Sequence, residues 1–225
     1  MTEEKSEAFP VAFVNPRSAD NYVVGIVGTI GSGKSHLAMM LIKMWKFKFD
    51  IVVWISPTFQ FQDMSMIRDT TGIVVFDKLS LENLQIIKAH QQARNLERRN
   101  RDPPAPPSHM LLVLDDNGMQ ARKRLQGGEL DEILISLRHW KINIIQLAQR
   151  YTQLSPTLRA NARYLIMFRE HNPQERRNLY TYHGFGDKRE FFRKLDENTS
   201  ERYGWVGLEC YPSQPRFFTA SDGYL

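Results

Sequence analysis

Short apolar runs alternate along this chain with longer segments in which apolar residues recur at helical spacing. The apolar runs occupy residues 22–27, 51–55, 73–76, 110–114 and 142–147. Helical spacing is found at Leu37, Met40, Leu41 and Met44, and again at Leu81, Leu84 and Ile87. Near-continuous apolar strands are typical of parallel sheets that helices cover on both faces. The pattern therefore predicts an α/β fold of three layers around a central, mainly parallel sheet.

The two ends of the chain have a different pattern from its middle. Residues 1–20 mix acidic residues with prolines, and we expect an arm that either docks on a neighbouring surface or stays frayed. Residues 21–170 carry the alternating signals and form the predicted core. Residues 171–225 form a C-terminal extension of the same domain, with predicted helices over 173–180 and 188–195 and predicted hairpin strands over 203–210 and 216–219. Its aromatic side chains cover either the sheet edge or a subunit contact.

The first apolar run leads into Gly28-Thr29-Ile30-Gly31-Ser32-Gly33-Lys34-Ser35, which matches the phosphate-loop pattern G-x-x-x-x-G-K-[ST] at every position. Glycines let successive backbone N–H groups point into one concavity, and the following helix adds its positive N-terminal end. We expect Lys34 to reach the β- and γ-phosphates and the Ser35 hydroxyl to coordinate Mg²⁺. The sequence therefore predicts a nucleotide site over residues 28–36, with His36 at its end. The alternative is a chance glycine-rich turn.

A pair of acidic residues provides the second part of the predicted site. Asp115 and Asp116 follow the apolar run 110–114, and in open α/β sheets ligands gather at the carboxyl ends of strands. We expect Asp115 to hold Mg²⁺, directly or through water, and Asp116 to accept the proton of the water that attacks the γ-phosphate. Gln149 follows the run 142–147, where its amide would contact both that water and the γ-phosphate. The alternative for the acidic pair is a surface turn.

Composition narrows the class of protein. The 225 residues are 42% hydrophobic and 11% aromatic, which excludes a disordered or fibrous chain. A single cysteine, Cys210, excludes an internal disulfide and fits a reducing compartment. No apolar run approaches the length of a membrane span, and the charged residues 1–7 are unlike a signal peptide. We therefore expect a soluble intracellular protein without stable membrane insertion.

The charge distribution points toward polyanionic partners. The formal net charge is +5, and Arg122, Lys123 and Arg124 lie between glycines directly downstream of the acidic pair. This segment is predicted to line a channel and to contact DNA phosphates with little sequence choice. The alternative is a solvated charged face. A second basic group is better explained as the solvated end of a helix; it comprises Arg94, Arg98, Arg99 and Arg101.

These motifs resemble the FtsK/HerA superfamily, and within it the genome-packaging ATPases of poxvirus-type viruses and of tailless, membrane-containing phages and archaeal viruses. The resemblance covers about residues 20–170. It rests on the phosphate loop, on residues 111–116, on Arg138-His139, and on the strings 147–150 and 158–163. It implies a RecA-like P-loop NTPase fold of the ASCE type. Many family members carry Asp-Glu where this chain has Asp115-Asp116.

The resemblance also implies a homo-oligomeric ring, usually a hexamer, in which each nucleotide lies between neighbouring subunits. Arg138 is similar to the arginine that family members insert across this interface to stabilise charge on the γ-phosphate. Arg159 and Arg163 are alternatives for that role, and Arg138 can also be interpreted as a surface residue at a helix end. His139 is interpreted as an interface or packing residue.

We therefore predict an ATPase, using ATP and Mg²⁺, that translocates viral double-stranded DNA into a preformed capsid. Its expected partners are double-stranded DNA, further copies of itself, and capsid or vertex proteins. Its expected location is the host cytoplasm, a viral factory or the virion. Two alternatives remain open: a small-molecule phosphotransferase such as a nucleoside or nucleotide kinase, and a nucleotide-gated assembly protein.

Overall fold

An eight-stranded sheet organises the part of the protein that the structure describes. The structure is a computed structural model, and it describes residues 23–45, 48–67, 72–115, 136–210 and 215–219. The strands are β1 (Val23–Val27), β2 (Ile51–Ile55), β3 (Gly72–Phe76), β4 (Met110–Leu114), β5 (Ile142–Ala148), β6 (Tyr164–Phe168), β7 (Trp205–Glu209) and β8 (Arg216–Phe218). The α-helices are α1 (Lys34–Met44), α2 (Leu81–Arg99), α3 (Pro156–Asn161), α4 (Pro173–His183) and α5 (Lys188–Asn198). Single 3₁₀ turns lie at Phe59–Phe61, Ser65–Ile67, Arg138–Trp140 and Tyr151–Gln153.

The order of the strands brings several loops to one edge of the sheet. Across the sheet the order is β3-β2-β4-β5-β1-β6-β7-β8. The neighbours from β3 to β6 pair in parallel, whereas β7 and β8 are antiparallel additions. Because parallel strands end at the same edge, the residues after β1, β2, β4 and β5 all lie there. β5 stands between β1 and β4, so its end lies between theirs.

Helices cover both faces of this sheet. In β1, Val24 belongs to a buried cluster with Leu41 of α1. Its neighbour Val23 belongs to a second cluster with Leu84 of α2, and a third cluster includes Leu195 of α5. Successive side chains of a strand point to opposite faces, so the first two clusters lie on opposite sides of the sheet. The predicted three-layer α/β fold is confirmed.

The predicted strand bounds agree with the structure where the apolar runs are continuous. β2 and β4 have the predicted bounds, and β5 extends one residue beyond its run, to Ala148. α2 begins after Ser80, whose Oγ accepts a hydrogen bond from the backbone N–H of Asn83 at 3.1 Å. It ends before the proline-rich segment 102–107, as a run of prolines requires. The C-terminal helices and the antiparallel pair β7–β8 are also present.

Two elements were not predicted from the sequence. They are β6 and the short α3, which together span residues 156–168. From this segment only the string 158–163 was used, as a family motif. α3 carries a recognisable start, because the Ser155 hydroxyl accepts a hydrogen bond from the N–H of Leu158 at 3.0 Å and Pro156 is its first residue. The spacing of Leu130, Ile133, Leu134 and Leu137 predicts a further helix, and of these four residues the structure describes Leu137 alone.

None of the helices in the described ranges combines the length and the apolar composition that a membrane crossing requires.

Candidate functional site

The segment Gly28–Ser35 forms a tight loop between β1 and α1. The N–H of Gly28 donates to the carbonyl of Ala148 at 3.1 Å, which fixes the start of the loop against the end of β5. Gly31 and Gly33 have φ angles of 76° and 98°, in the left-handed region that favours glycine. A Cβ on Gly28 would lie 2.5 Å from the hydroxyl oxygen of Ser32, so a side chain at Gly28 would force the loop open. That hydroxyl is buried and has no hydrogen-bond partner among the described residues.

Lys34 is the first residue of α1 and lies folded onto the loop. Its Nζ donates to the carbonyl of Thr29 at 2.9 Å, and the residue is only 9% exposed. The first turn of α1 contains no acidic residue, so its positive end is left for an anion. Together with the buried Ser32 hydroxyl, this donor set fits the phosphates of a nucleotide.

Asp115 lies at the edge of the sheet next to this loop, as predicted. The residue is 3% exposed, and its backbone N–H donates to the carbonyl of Ile55 at 2.9 Å. Three side chains donate to its Oδ2 atom: Gln62 Nε2 at 2.6 Å, Ser35 Oγ at 3.4 Å and Ser56 Oγ at 3.5 Å. These hydrogen bonds to Asp115 therefore join the end of β4 to the phosphate loop and to the segment after β2.

Gln62 and Ser56 were missed in the sequence analysis. Both follow β2, which pairs with β4, so the rule that ligands gather at the carboxyl ends of parallel strands could have identified them. The Oε1 atom of Gln62 is buried and has no partner among the described residues. It is an acceptor beside the carboxylate, placed where a bound water molecule would complete its hydrogen bonding.

The oxygen atoms at this point fit a magnesium ion. Two ligands of one Mg²⁺ ion, each at about 2.1 Å in an octahedral arrangement, stand roughly 3 Å apart. The Oγ of Ser35 and the Oδ2 of Asp115 are 3.4 Å apart. In the described part of the chain, no group of three His, Cys, Asp or Glu side chains forms a metal site. Mg²⁺ usually takes one or two protein ligands together with substrate phosphates, which agrees with this pair.

Gln149 is the first residue after β5 and lies at the same edge of the sheet. Its neighbour Ala148 accepts the hydrogen bond from Gly28 described above, so Gln149 directly follows the point where β5 meets the loop. The N–H groups of Gln149 and Arg150 both donate to Oε1 of Gln153, at 3.0 and 3.1 Å. The backbone around Gln149 is therefore fixed by the 3₁₀ turn that follows it.

The 3₁₀ turn Tyr151–Gln153 is itself anchored to α4. Both the N–H and the hydroxyl of Thr152 donate to the carboxylate of Glu175, at 3.0 and 2.7 Å. The ring of Tyr151 is fully buried and meets the ring of His183 edge to face, with centroids 5.7 Å apart. Burial, reinforced by the nearby charge of Arg159, lowers the pKa of His183 to about 4. Burial also raises the pKa of Tyr151.

The three candidate arginines have different places in the fold. Arg138 lies in the 3₁₀ turn before β5, at the edge of the sheet opposite the phosphate loop. Arg163 stands just before β6 at that same far edge, and its Nε donates to the hydroxyl of Tyr164 at 3.2 Å. The guanidinium of Arg159 lies 5.4 Å from the ring centroids of Tyr151 and Tyr182.

Two of the predicted site components lie outside the described residues. They are Asp116, the expected proton acceptor, and the basic segment Arg122, Lys123 and Arg124, the expected DNA contact.

The other basic group does more than end a helix in solvent. Arg98 of α2 forms an ion pair of 2.8 Å with Asp50, and both side chains are largely buried. It also donates to the carbonyl of Pro106 at 3.1 Å. Arg94 lies 3.9 Å from the same carboxylate. These contacts tie the end of α2 to the residue before β2, so at least these two arginines stabilise the fold.

A cavity of about 710 Å³ opens beside the phosphate loop. One wall is the loop and the start of α1, and His36 belongs to it. The opposite wall is aromatic and consists of Phe168, Tyr203 and Trp205. The sequence predicts the C-terminal aromatics at a sheet edge or a subunit contact, and their position beside the phosphate loop was not predicted. β7 pairs with β6 beside β1, and that long-range pairing brings Tyr203 and Trp205 to the loop.

Known proteins resemble this chain in sequence or in fold. Protein 075L of invertebrate iridescent virus 6, described as uncharacterized, is 26% identical over 201 residues, which are 85% of this chain and 74% of the relative. The genome packaging NTPase B204 of Sulfolobus turreted icosahedral virus 2, solved in complex with ATP-γS, superposes with a TM-score of 0.57 at 21% identity, covering 90% of this chain and 98% of that one. The pCW3 conjugation coupling protein TcpA superposes with a TM-score of 0.53 at 12% identity, covering 89% of this chain and 60% of that one.

A sequence profile described as poxvirus A32 protein matches residues 14–195 of the 225. The match extends beyond the motifs at both ends and confirms the resemblance to the poxvirus-type branch that they indicated. This chain therefore belongs to the poxvirus A32 protein family.

Proposed function

We propose that this protein is an ATP-hydrolysing motor that drives viral double-stranded DNA into a preformed capsid. The observation that carries the proposal is the meeting of Lys34, Ser35 and Asp115 at one edge of the sheet. Membership of the poxvirus A32 protein family supports it, as does the shared fold with B204, which is named as a genome packaging NTPase.

The phosphates of ATP are bound by the backbone N–H groups of the loop and by the N-terminus of α1. Lys34 moves from the carbonyl of Thr29 to the β- and γ-phosphates, because a triphosphate is a stronger partner for an ammonium group than a neutral carbonyl. Ser35 and Asp115 hold Mg²⁺. When bound, Mg²⁺ neutralises the charge that develops on the phosphate oxygens.

Hydrolysis needs a water molecule in line with the bond that breaks. Asp116 accepts a proton from this water, whose oxygen bonds to the γ-phosphorus, while the bond to the β,γ-bridging oxygen breaks and ADP leaves with the electron pair. The amide of Gln149 orients the water against the γ-phosphate. Its position directly after β5, next to the start of the loop, supports this role.

The hydrogen bonds behind Gln149 offer a route for coupling. Gln153 binds the N–H groups of Gln149 and Arg150, and Thr152 joins the same turn to Glu175 on α4. Loss of the γ-phosphate changes the partner of Gln149, and the shift passes through the turn to the C-terminal extension. These contacts form a continuous path from Gln149 to α4, and the γ-phosphate at the Gln149 end is present before hydrolysis and absent after it.

Arg138 acts on the nucleotide of a neighbouring subunit. β5 has seven residues, and strands rise about 3.3 Å per residue, so roughly 20 Å separates Arg138 from the phosphate loop of its own chain. That separation supports a role in trans, within a homo-oligomeric ring, for which we propose six subunits. Arg122, Lys123 and Arg124 contact the DNA phosphates, capsid or vertex proteins anchor the ring, and the virus-infected cell is where it acts.

Phosphate release from ATP, measured on the purified chain, tests the proposal. Lys34→Ala removes the ammonium group that binds the phosphates, and we expect turnover to fall at least 100-fold, an order of magnitude typical of removing a phosphate clamp (~10²–10³). Lys43→Ala, at the exposed end of the same helix, is the matched control and keeps wild-type turnover. A phosphorylated nucleoside as product would instead indicate a kinase, and binding without hydrolysis would indicate a gated assembly protein.

A further inference from the structure

The cavity of about 710 Å³ extends from the phosphate loop to a group of aromatic side chains. Gly31, Gly33, Lys34 and Ser35 form its polar end. Its other lining residues carry apolar faces; they are Leu37, Met40, Phe168, Tyr203 and Trp205. The volume of about 710 Å³ is within the range of roughly 300–1,000 Å³ that is typical of small-molecule sites. A ligand bound by its phosphates at one end would extend along these faces.

Tyr203 has an unusual backbone conformation at this position. Its φ angle is 66°, in the left-handed region, although it is an aromatic residue and not glycine. Such conformations are costly for bulky residues and persist where the surrounding structure fixes them, often at ligand sites. The turn that fixes it contains the hydrogen bond from the N–H of Gly204 to the carbonyl of Glu201 at 3.0 Å. This turn presents the ring to the loop, and a Cβ on Gly33 would lie 3.3 Å from Tyr203 Cδ1.

One face of the Tyr203 ring is already covered. The guanidinium carbon of Arg202 lies 4.9 Å from the ring centroid. Arg202 lines a smaller cavity of about 200 Å³, and it does not line the larger one. Tyr203 lines both cavities, so it also borders the larger one, which Arg202 does not reach. Tyr203 is 54% exposed, so its ring remains accessible to a ligand.

We infer that Tyr203, backed by Arg202 and flanked by Trp205, is the stacking platform for the base of the bound nucleotide. The inference rests on the proposed function and deepens it, because it assigns the C-terminal extension a part in binding ATP. The phosphates occupy the loop, so the planar base is the part of the ligand left to meet the aromatic wall. Stacking contacts the face of the base and makes few hydrogen bonds to its edge, so the site accommodates both ATP and GTP.

Equilibrium binding of two ligands to the full chain tests this assignment. ATP has a base, and inorganic tripolyphosphate has only the phosphates. Tyr203→Gly removes the ring and keeps a residue that adopts the left-handed conformation without strain, so the turn is preserved. We expect the affinity for ATP and for GTP to fall about tenfold or more, and the affinity for tripolyphosphate to stay within twofold.

Two further variants control for the turn and for the general loss of an aromatic ring. Tyr203→Phe keeps the stacking face, and we expect ATP affinity within twofold of wild type. Tyr182→Ala removes another exposed tyrosine, on α4 and outside the cavity lining, and leaves both affinities unchanged. If Tyr203→Gly weakens ATP and tripolyphosphate equally, Tyr203 only shapes the loop and the inference is wrong. If it weakens neither, the base binds elsewhere and the inference is also wrong.

Failure of the proposed function gives a different pattern. In that case the wild-type chain binds ATP without releasing phosphate, or binds neither ATP nor tripolyphosphate, whereas failure of the stacking inference alone leaves both ligands bound and ATP hydrolysed in the wild type. Trp205 supplies an independent readout, because it lines the cavity. ATP, but not tripolyphosphate, is expected to change the tryptophan fluorescence, and Trp205→Phe is expected to remove that change. A change of equal size with tripolyphosphate would contradict contact between the base and this wall.

Discussion

The Oδ2 atom of Asp115 is shared by three side chains that come from two separate segments of the chain. A buried carboxylate is stable only when its lone pairs are satisfied, and here Ser35, Ser56 and Gln62 satisfy them. Ser35 and Asp115 are also the two residues that we propose hold Mg²⁺. Gln62 makes the shortest of the three contacts, at 2.6 Å, and so is the side chain best placed to fix the carboxylate.

Gln62→Ala tests whether this amide positions Asp115 for the metal. Its hydrogen bond of 2.6 Å fixes the carboxylate, and loss of such an outer contact typically weakens metal binding by about 10–100-fold. We expect the Mg²⁺ concentration for half-maximal ATP binding to rise about tenfold. Titration of nucleotide binding with Mg²⁺ measures this shift.

Gln60→Ala is the matched control, because Gln60 is the same residue type two positions earlier and is exposed. It is expected to leave the Mg²⁺ titration unchanged. A Gln62→Ala protein that lost thermal stability but kept the wild-type Mg²⁺ dependence would have lost only a packing contact, and the positioning role would be wrong.

At the scale of elements, the packing of α4 against the Tyr151–Gln153 turn controls the surroundings of His183. The Nε2 atom of His183 is buried and has no hydrogen-bond partner among the described residues. Burial therefore lowers its pKa from an ordinary value of 6.5 to about 4, and the charge of Arg159 acts in the same direction. Above pH about 4 the ring stays neutral where α4 meets the turn that follows Gln149.

Stability should therefore depend on pH in a defined window. Between pH about 6.5 and about 4 the unfolded chain binds a proton at His183 and the folded chain does not, so the free energy of unfolding falls as the pH falls. Above pH about 6.5 both states are neutral and this residue has no effect. The loss across the window is at most about 3 kcal/mol.

Urea unfolding across that window measures the effect. His183→Gln is expected to show a shallower decline of stability between pH about 6.5 and about 4 than the wild type. His171→Gln changes an exposed histidine and is expected to keep the wild-type decline. The same decline in all three proteins would mean that His183 titrates normally in the folded state.

The elements that the sequence predicted are those with local signals. Apolar runs set the bounds of β2 and β4, and the Ser80 cap set the start of α2. Local signals of this kind do not mark Gln62 or Tyr203, and the rule that ligands gather at strand ends points only to the segment that contains Gln62. Gln62 becomes part of the site through the pairing of β2 with β4, and Tyr203 through the antiparallel addition of β7 to β6. Strand pairing between distant segments decides both.

At the scale of the whole molecule, the carboxyl and amino ends of the parallel strands lie at opposite edges of the sheet, and these edges have different roles in the proposed ring. The edge with the phosphate loop binds the nucleotide of its own subunit. The turn at the opposite edge contains Arg138, which we propose acts on the nucleotide of a neighbour. Under this proposal, the chain completes its catalytic site only by assembly.

Mixtures of wild-type and Arg138→Ala subunits test that division. If Arg138 acts in trans, each variant subunit disables the nucleotide site of its neighbour, so the ATPase rate falls more steeply than the fraction of wild-type subunits. Arg177→Ala, an exposed arginine of α4, is the control and leaves the rate of the mixture unchanged. A rate that falls only in proportion to dilution would exclude Arg138 as the trans arginine.

The most direct test of the motor is movement along DNA. A third strand bound to a duplex is displaced when a translocase passes, so its release can be followed by fluorescence while phosphate release is measured in the same sample. The wild-type chain is expected to release the third strand only with ATP and Mg²⁺, and Lys34→Ala is expected to release none. Phosphate release that proceeds without displacement, at a rate indifferent to duplex DNA, would contradict a DNA motor.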